Sequence, residues 1–518
     1  MEKRALLAGA LSLLVFIVFQ FFFAPINQQQ MVQPPIADIP GAGKPSQNRV
    51  DRAVEKEKYP EVRRAVSPPA PRYEEEKTVL VHTGLSVVTL SNRHAAITGV
   101  LLAEYTDHDG KMVNLLERER SDNFPLEVSY GDEALKRVSS RAYYSYVDEI
   151  DGEVTLSPEN PEKKVGFVFF DETGVKITKE YSFRYNEYRI GLTVTIEDPA
   201  RMFTGMPASV SWDGGIYSSD SDDSYTYRGP TVLDGKELFS ELPDVEGAET
   251  FYAKDPTWVA TQNKYFLAAI FPATEMIHKA YVKNTGNDVG AVGYQFKVDD
   301  RQPVRFDVYV GPKKADILAR YNVQLERVID FGWFDVLGKP LFSALVWFYG
   351  FSHNFGIAII LVTVVIKLIF FPLSQKSFKS MKQMQKIQPQ MKILTERYKK
   401  DRTKLNQEMM KLYKDHKVNP LGGCLPTIVQ IPVFIALYQV LLNAIELRGA
   451  PFFLWITDLA QKDPYYVTPL IMGATMFLQQ KMTPTTVVDP TQQKIMMFLP
   501  VIFTVMFLNF PSGLVLYW

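Results

Sequence analysis

Cysteine is almost missing: Cys424 is the only one in 518 residues. That excludes an intramolecular disulfide and a cysteine-built metal cluster, so every domain must be held by ordinary core packing. The six histidines, at 82, 94, 108, 278, 353 and 416, include no pair at metal-ligand spacing. No nucleophile elbow, His-Glu-x-x-His helix or dinucleotide loop occurs anywhere. The nearest approach to a phosphate-binding loop, Gly43-Lys44, lacks the earlier glycine and has Pro45 where Ser or Thr should stand. No local motif asks for a metal, a nucleotide or another cofactor.

Net charge is nearly missing too, at −1, but that balance hides two opposite halves. Residues 341–518 hold 18 Lys/Arg against 8 Asp/Glu, whereas residues 24–340 hold 37 against 49. An acidic middle is joined to a basic, apolar end.

Long apolar runs sit at both ends of the chain. Leu6–Phe23 has only Ser12 and Gln20 as polar members and follows Lys3 and Arg4. Eighteen residues at about 1.5 Å each can cross a hydrocarbon core of about 30 Å. A cleaved signal peptide would want a shorter run and small residues before the cut, but Phe22 and Phe23 precede Ala24. The segment 1–23 therefore reads as an uncleaved anchor with a cytoplasmic N-terminus. Residues 24–76, rich in Pro and Gln, cannot bury much apolar surface and read as a disordered tether.

Apolar spans return at Leu341–Phe371, Cys424–Leu442, Tyr465–Leu478 and Ile495–Phe510, and Leu514–Trp518 begins what is expected to be a fifth, truncated span. Residues 373–417 carry 13 Lys/Arg and 4 Asp/Glu, whereas 446–464 carry two and three. The positive-inside rule puts the first segment in the cytoplasm and 24–340 on the other side, in agreement with the N-terminal anchor.

Between about 77 and 312, within a domain expected over 77–329, the dominant period is two. Ile190, Leu192, Val194 and Ile196 alternate with polar neighbours, as do Phe306, Val308 and Val310. Val165–Phe170 and Val175–Phe183 flank Asp171-Glu172-Thr173-Gly174, a hairpin signature. Residues 313–329 then read as helix, with Ile317, Tyr321, Leu325 and Val328 at helical spacing. Trp212, Tyr217, Tyr225 and Tyr227 suit stacking on sugars, and Asp220-Ser221-Asp222-Asp223 suits calcium. Core aromatics and a solvated loop are the plainer readings. The fold class is a multi-domain membrane protein, an α-helical transmembrane bundle plus a large antiparallel β-sandwich domain.

Two polar features of the bundle stand out. In the basic segment, Phe378, Met381, Met384, Ile387, Met391 and Leu394 recur at helical spacing, as do Leu405, Met409 and Leu412 after the break Lys399–Thr403. This predicts a helical hairpin over 374–417 with a methionine-rich seam and charged faces that include Lys382 and Lys386. It reads as a docking surface for nascent chains, a ribosome or anionic headgroups, or else as a solvated connector. Inside the first span lies Lys367, five residues before Pro372, which is expected to close that helix. It either snorkels to the interface or faces a wet cavity together with Thr363 one turn away. The second span adds Gln430 and Tyr438, and its neighbours are short and flecked with polar residues, which favours a half-open wet groove.

Several stretches carry a family resemblance: Asn419-Pro420-Leu421-Gly422-Gly423-Cys424, Gln430-Ile431-Pro432, Asp463-Pro464-Tyr465-Tyr466, Gln480-Lys481-Met482-Thr483-Pro484 and Phe510-Pro511-Ser512-Gly513-Leu514. They resemble the YidC/Oxa/Alb family of membrane-protein insertases, strongly over 330–518 and in architecture over 1–329. The resemblance implies a periplasmic β-supersandwich, an interfacial helix near 330–340 and a bundle around a hydrophilic groove in the inner membrane. The family's positive groove residue, usually Arg, falls on Lys367, with Thr363, Gln430, Tyr438, Tyr517 and Trp518 as groove partners. It also implies non-enzymatic work on nascent membrane proteins, alone or with the Sec translocon, in contact with membrane lipids and without a nucleotide. The alternative from another class is a membrane-anchored periplasmic domain that binds or acts on carbohydrate.

Overall fold

A computed structural model describes residues 75–518, apart from 108, 117–123, 131–142, 149–151, 171–173, 218–226, 275–278, 287–289, 300, 400, 417, 419–424 and 483–489. The expected anchor and tether, the acidic run at 220–223, Tyr225 and the motif at 419–424 lie outside the described residues.

The alternating segments form three sheets. The first orders β4 (Met112–Asn114), β3 (Ala96–Thr106), β2 (Ser86–Ser91), β1 (Thr78–His82) and β7 (Glu153–Thr155). The second begins β13 (Glu237–Phe239), β12 (Gly229–Asp234), β15 (Pro256–Gln262) and β16 (Phe266–Pro272). It continues through β19 (Val304–Pro312), β10 (Arg189–Glu197), β9 (Lys176–Arg184), β8 (Glu162–Phe170) and β6 (Ser145–Tyr146). The third orders β14 (Glu249–Tyr252), β17 (Lys279–Lys283), β18 (Ala291–Lys297), β11 (Pro207–Asp213) and β5 (Glu127–Tyr130).

Pairing is antiparallel except for β1 against β7, which is parallel and departs from the all-antiparallel expectation. The predicted hairpin pairs β8 with β9, Val165 opposite Tyr181. Period two works as pattern reading demands: Ile190, Leu192, Val194 and Ile196 all point inward from β10. On β9 the same alternation carries Lys179 inward between Ile177 and Tyr181. In the middle of the large sheet both faces are covered, so Val259, Ala260, Leu267, Ala268 and Ile270 are all buried.

After β19 the expected helix over 313–329 is only one turn, α1 (Ala315–Leu318), followed by 3-10 turns at Ala319–Tyr321 and Leu325–Val328. Asn322 and Gln324 take left-handed backbone and break the continuity. Leu325 and Val328 are buried, so the spacing did report burial, but of turns.

The bundle starts earlier than expected. α2 (Asp335–Ser352) takes in part of the interfacial segment at 330–340 and the front of the span expected at 341. Left-handed His353 ends it, and Asn354 caps the next helix by accepting from the Ile357 amide at 3.1 Å. α3 (Phe355–Arg397) runs 43 residues, about 65 Å. Pro372, expected to close the span, lies inside this helix, so the span and the first hairpin arm are continuous. α4 (Arg402–Asp415) is the second arm, capped by Asp401 at the Lys404 amide. α5 (Leu425–Asn443), α6 (Val467–Met482), α7 (Pro490–Phe507) and α8 (Ser512–Tyr517) follow.

Among the described residues α3 is the one helix long and apolar enough to cross a membrane, with shorter apolar stretches at Ile428–Asn443 and Met497–Phe507. Large apolar side chains cover the outside of the bundle, including Leu368, Ile369, Leu478, Phe498, Ile502 and Val505. A contiguous surface of this kind marks contact with lipid or protein.

Two of the stretches quoted above are structural. The Asp463 carboxylate accepts from Trp455 Nε1, the Tyr465 and Thr468 amides and the Thr468 hydroxyl, which fixes the entry to α6. Pro511-Ser512-Gly513 seats α8 on the loop below it: the Ser512 amide donates to Gln461 O at 2.7 Å and the Gly513 amide to Leu459 O at 3.0 Å.

Candidate functional site

The site is assembled from three helices. Lys367 projects from α3, and its Nζ donates across to Oε1 of Gln430 on α5 at 3.5 Å. Gln430 also stands beside the hydroxyl of Tyr517 on α8, whose side chain is buried. The amine, on an exposed side chain, thus turns toward the amide of the facing helix. Thr363, half-buried one turn before Lys367, uses its own hydrogen on the Ile359 carbonyl at 2.7 Å and leaves its oxygen lone pairs available.

The neighbourhood is otherwise greasy. Val364, Leu368 and Ile369 are neighbours of Lys367 along α3, and Ile428, Val429 and Ile431 of Gln430 along α5, all of them exposed. A single amine set among exposed apolar side chains beside an amide and a phenol makes a narrow polar strip on an apolar wall. Such a strip can take polar peptide while the wall takes apolar peptide.

Not every expected groove residue joins the strip. Tyr438 is buried two turns beyond Gln430, about 12 Å along α5, where it packs edge-on against Phe510. Trp518 is exposed and tied to other helices: its Nε1 approaches Met476 Sδ at 3.2 Å, and its ring stacks on Phe503. Phe434, which sequence reasoning passed over, links the two, stacked on Tyr517 at 5.9 Å and edge-on to Trp518 at 5.0 Å. Its position four residues after Gln430, on the same helical face, was the available signal.

The hairpin corrects one expectation. Met384 and Met391, expected on a docking surface, are buried with Ile387 in the seam between α3 and α4, against Val418, Met409, Leu412 and Tyr413. Two helices with narrow apolar stripes bury them against each other first, which removes these side chains from solvent. Met381 is half-buried, and Lys382 and Lys386 remain exposed. Of the aromatic residues suited to stacking on sugars, one is taken up by the core. Trp212 is fully buried and donates to Gly215 O, whereas Tyr217 and Tyr227 are exposed. Among the described residues no cluster of His, Cys, Asp and Glu is placed to hold a metal.

The chain matches two family models, the YidC periplasmic domain over residues 78–344 and the 60Kd inner membrane protein over residues 347–518. The membrane protein insertase YidC of Syntrophus aciditrophicus is 37% identical over 540 residues, spanning 100% of this chain and 97% of that one. This chain belongs to the YidC family of membrane-protein insertases. The YidC of Geotalea daltonii is likewise 37% identical, over 100% of this chain and 96% of its own. A crystal structure of an active YidC insertase with the first transmembrane domain resolved aligns at 19% identity and a TM-score of 0.37, covering 86% of this chain and 90% of that one. Family membership makes the chain an inner-membrane protein with a periplasmic-type β-domain, and makes membrane-protein insertion its function in preference to a carbohydrate-directed one.

Proposed function

We propose that the strip formed by Lys367, Gln430 and Tyr517 is where a client's polar segment rests while its apolar segment enters the bilayer. The carrying observation is the 3.5 Å contact from Lys367 to Gln430 on the facing helix, within a bundle whose outside is apolar. A charge at the centre of a bilayer costs about 3 kcal/mol on insertion scales, so an amine with polar partners lowers the barrier for hydrophilic peptide beside it. The driving force is burial of about 20 apolar client residues in hydrocarbon. No bond is made or broken, and no nucleotide enters the cycle.

The basic hairpin arms, 374–417, lie in the cytoplasm, and the β-domain and the loop after α5 lie in the periplasm. The position of Ile445 supports this: it belongs to the loop after α5 yet packs in the core of the β-domain, so loop and domain share a side. Exposed Lys382 and Lys386 offer the hairpin's charged face to nascent chains, ribosomes or anionic headgroups, and the Sec translocon is a partner at the same membrane.

The test is insertion by purified protein in vesicles. Lys367→Ala and Lys367→Glu should slow insertion of clients with acidic translocated tails, the second more than the first, and spare clients with neutral tails. Equal insertion of acidic-tailed clients by wild type and Lys367→Glu would overturn the role given to Lys367.

A further inference from the structure

The loop after α5 carries its most apolar stretch on a tight turn. From Gly449 to Thr457 there is no charged residue. The Phe452 amide donates to Ile456 O at 3.0 Å and the Ile456 amide to Phe453 O at 3.2 Å, which closes the chain around Leu454 and Trp455. Phe452 is half-buried, and Ile456 and Leu459 are buried. Phe453 and Leu454 face the other way, 56% and 87% exposed, and no leucine among the described residues is more exposed than Leu454.

Leu454 takes left-handed backbone, φ 56°, where glycine is at ease and leucine is strained. In water this residue would be unfavourable twice, in its backbone and in its apolar side chain. The turn is nevertheless firmly tied. Trp455 Nε1 donates to the Asp463 carboxylate at 3.0 Å, and the Leu459 amide to Ala450 O at 2.9 Å. The Phe453 ring leans on the Phe452 ring, with centroids 4.6 Å apart.

The depth of the turn is set by α3. Asn354, the cap of that helix, donates through Nδ2 to Phe452 O at 3.1 Å, and the Phe452 ring fills the space that a Cβ on Gly356 would need. Phe453 and Leu454 therefore stand beside the first turn of the helix that is long and apolar enough to cross a membrane. One and two turns further along α3, on the side of Gly356, Ile360 and Val364 are exposed, so the apolar tip continues an apolar helix face. Two side chains are too few for a specific protein interface, which takes about 20–30 residues a side. A lipid surface needs only that they enter it.

We infer that Phe453 and Leu454 form a lipid-binding wedge set into the outer leaflet, where phospholipid acyl chains cover them at the boundary with the headgroups. The contact is with lipid and needs no client, so it stands apart from the strip at Lys367. Strain at Leu454 is held by the turn's own hydrogen bonds, and the side chain it presents is the part of the loop that lipid rewards.

The test uses the full chain in phospholipid vesicles, with Cys424→Ser removing the only cysteine. The environment-sensitive dye NBD is placed on Leu454→Cys or, as the reference, on Thr457→Cys, an exposed polar position three residues on. At 454 the dye should emit further to the blue, be shielded from aqueous iodide, and be quenched by brominated acyl chains about threefold more than at 457. Blue-shifted emission without quenching by the brominated chains would mean a protein cover, such as a second copy, and would overturn the wedge. Equal iodide access at the two positions would overturn it as well. Because the dye is itself apolar, Leu454→Asp without dye gives an independent reading. Aspartate tolerates left-handed backbone better than leucine, so a turn that met only water would exchange its amides no faster. A turn set in lipid should exchange the Ile456 and Leu459 amides about tenfold faster, while the Thr468 amide, held by Asp463, keeps its protection. Leu454→Met should behave as wild type. Unchanged exchange at Ile456 in Leu454→Asp would overturn the wedge.

Discussion

Replacing Lys179 by Met should loosen the junction of all three sheets. Lys179 belongs to β9 in the large sheet and is fully buried. Its Nζ donates to His94 O at 3.0 Å and Ala95 O at 2.6 Å, next to β3, and to Leu126 O at 2.8 Å, next to β5. All three acceptor residues are non-glycine residues with φ between 45° and 63°. Left-handed backbone at such residues costs about 1 kcal/mol or more each and persists only where the surroundings hold it. Here the turned carbonyls converge on one ammonium.

Methionine fills a similar volume but donates nothing. Ala95 O would keep the Tyr181 hydroxyl, which donates at 2.7 Å, while His94 O and Leu126 O would lose the ammonium. Two buried carbonyls deprived of a charged donor cost about 1–3 kcal/mol each. Against this stands the cost of burying the charge, which pulls the Lys179 ammonium down to about 7, with Glu127 pulling the other way. Subtracting part of that cost leaves a net loss of about 3 kcal/mol. Protection of amides in 94–97 and 126–128 should fall by about two orders of magnitude, measured by hydrogen exchange on the full chain. Protection equal to or above wild type would show that charge burial outweighs the carbonyl contacts and would refute the reasoning.

Three other outcomes follow from the same geometry. Asp463→Ala removes four acceptances at the start of α6 and should cost about 2–3 kcal/mol locally, read as faster exchange of the Tyr465 and Thr468 amides. Burial pushes the Glu446 carboxyl up to about 7 from its ordinary 4.5. The folded state then holds a proton that the unfolded chain has lost, so this contribution is complete below pH 4.5 and fades as pH rises through 7. Exchange at 104–106, corrected for intrinsic rates, should rise across that window, and Glu446→Gln should flatten the dependence. Gly356→Ala would drive a methyl group into the Phe452 ring at the start of α3 and should lower stability in detergent by about 1–3 kcal/mol, seen as a lower midpoint of thermal unfolding.

The local sequence reported solvent faithfully wherever one environment acted along a whole element. Period two marked β9 and β10, helical spacing marked the seam of the hairpin, and apolar length marked α3. The groove residues on α3 and α5 were readable as polar exceptions in apolar spans, and the structure brings Lys367 and Gln430 together. Phe434 was marked only by its place one turn after Gln430, and Met476 looked like an ordinary apolar residue that nothing local distinguished.

What the chain alone determined, then, was the kind of element at each place and the face it buries, because those follow from hydropathy at fixed spacing. Which elements meet was decided by the tertiary structure. Lys179 reads as a surface lysine until three carbonyls from two other sheets surround it, and Ile445 reads as a loop residue until the β-domain closes over it. Methionines that looked fit for a partner were consumed by α4. In each case the energy comes from contacts between residues distant in sequence, and no short-range pattern records them.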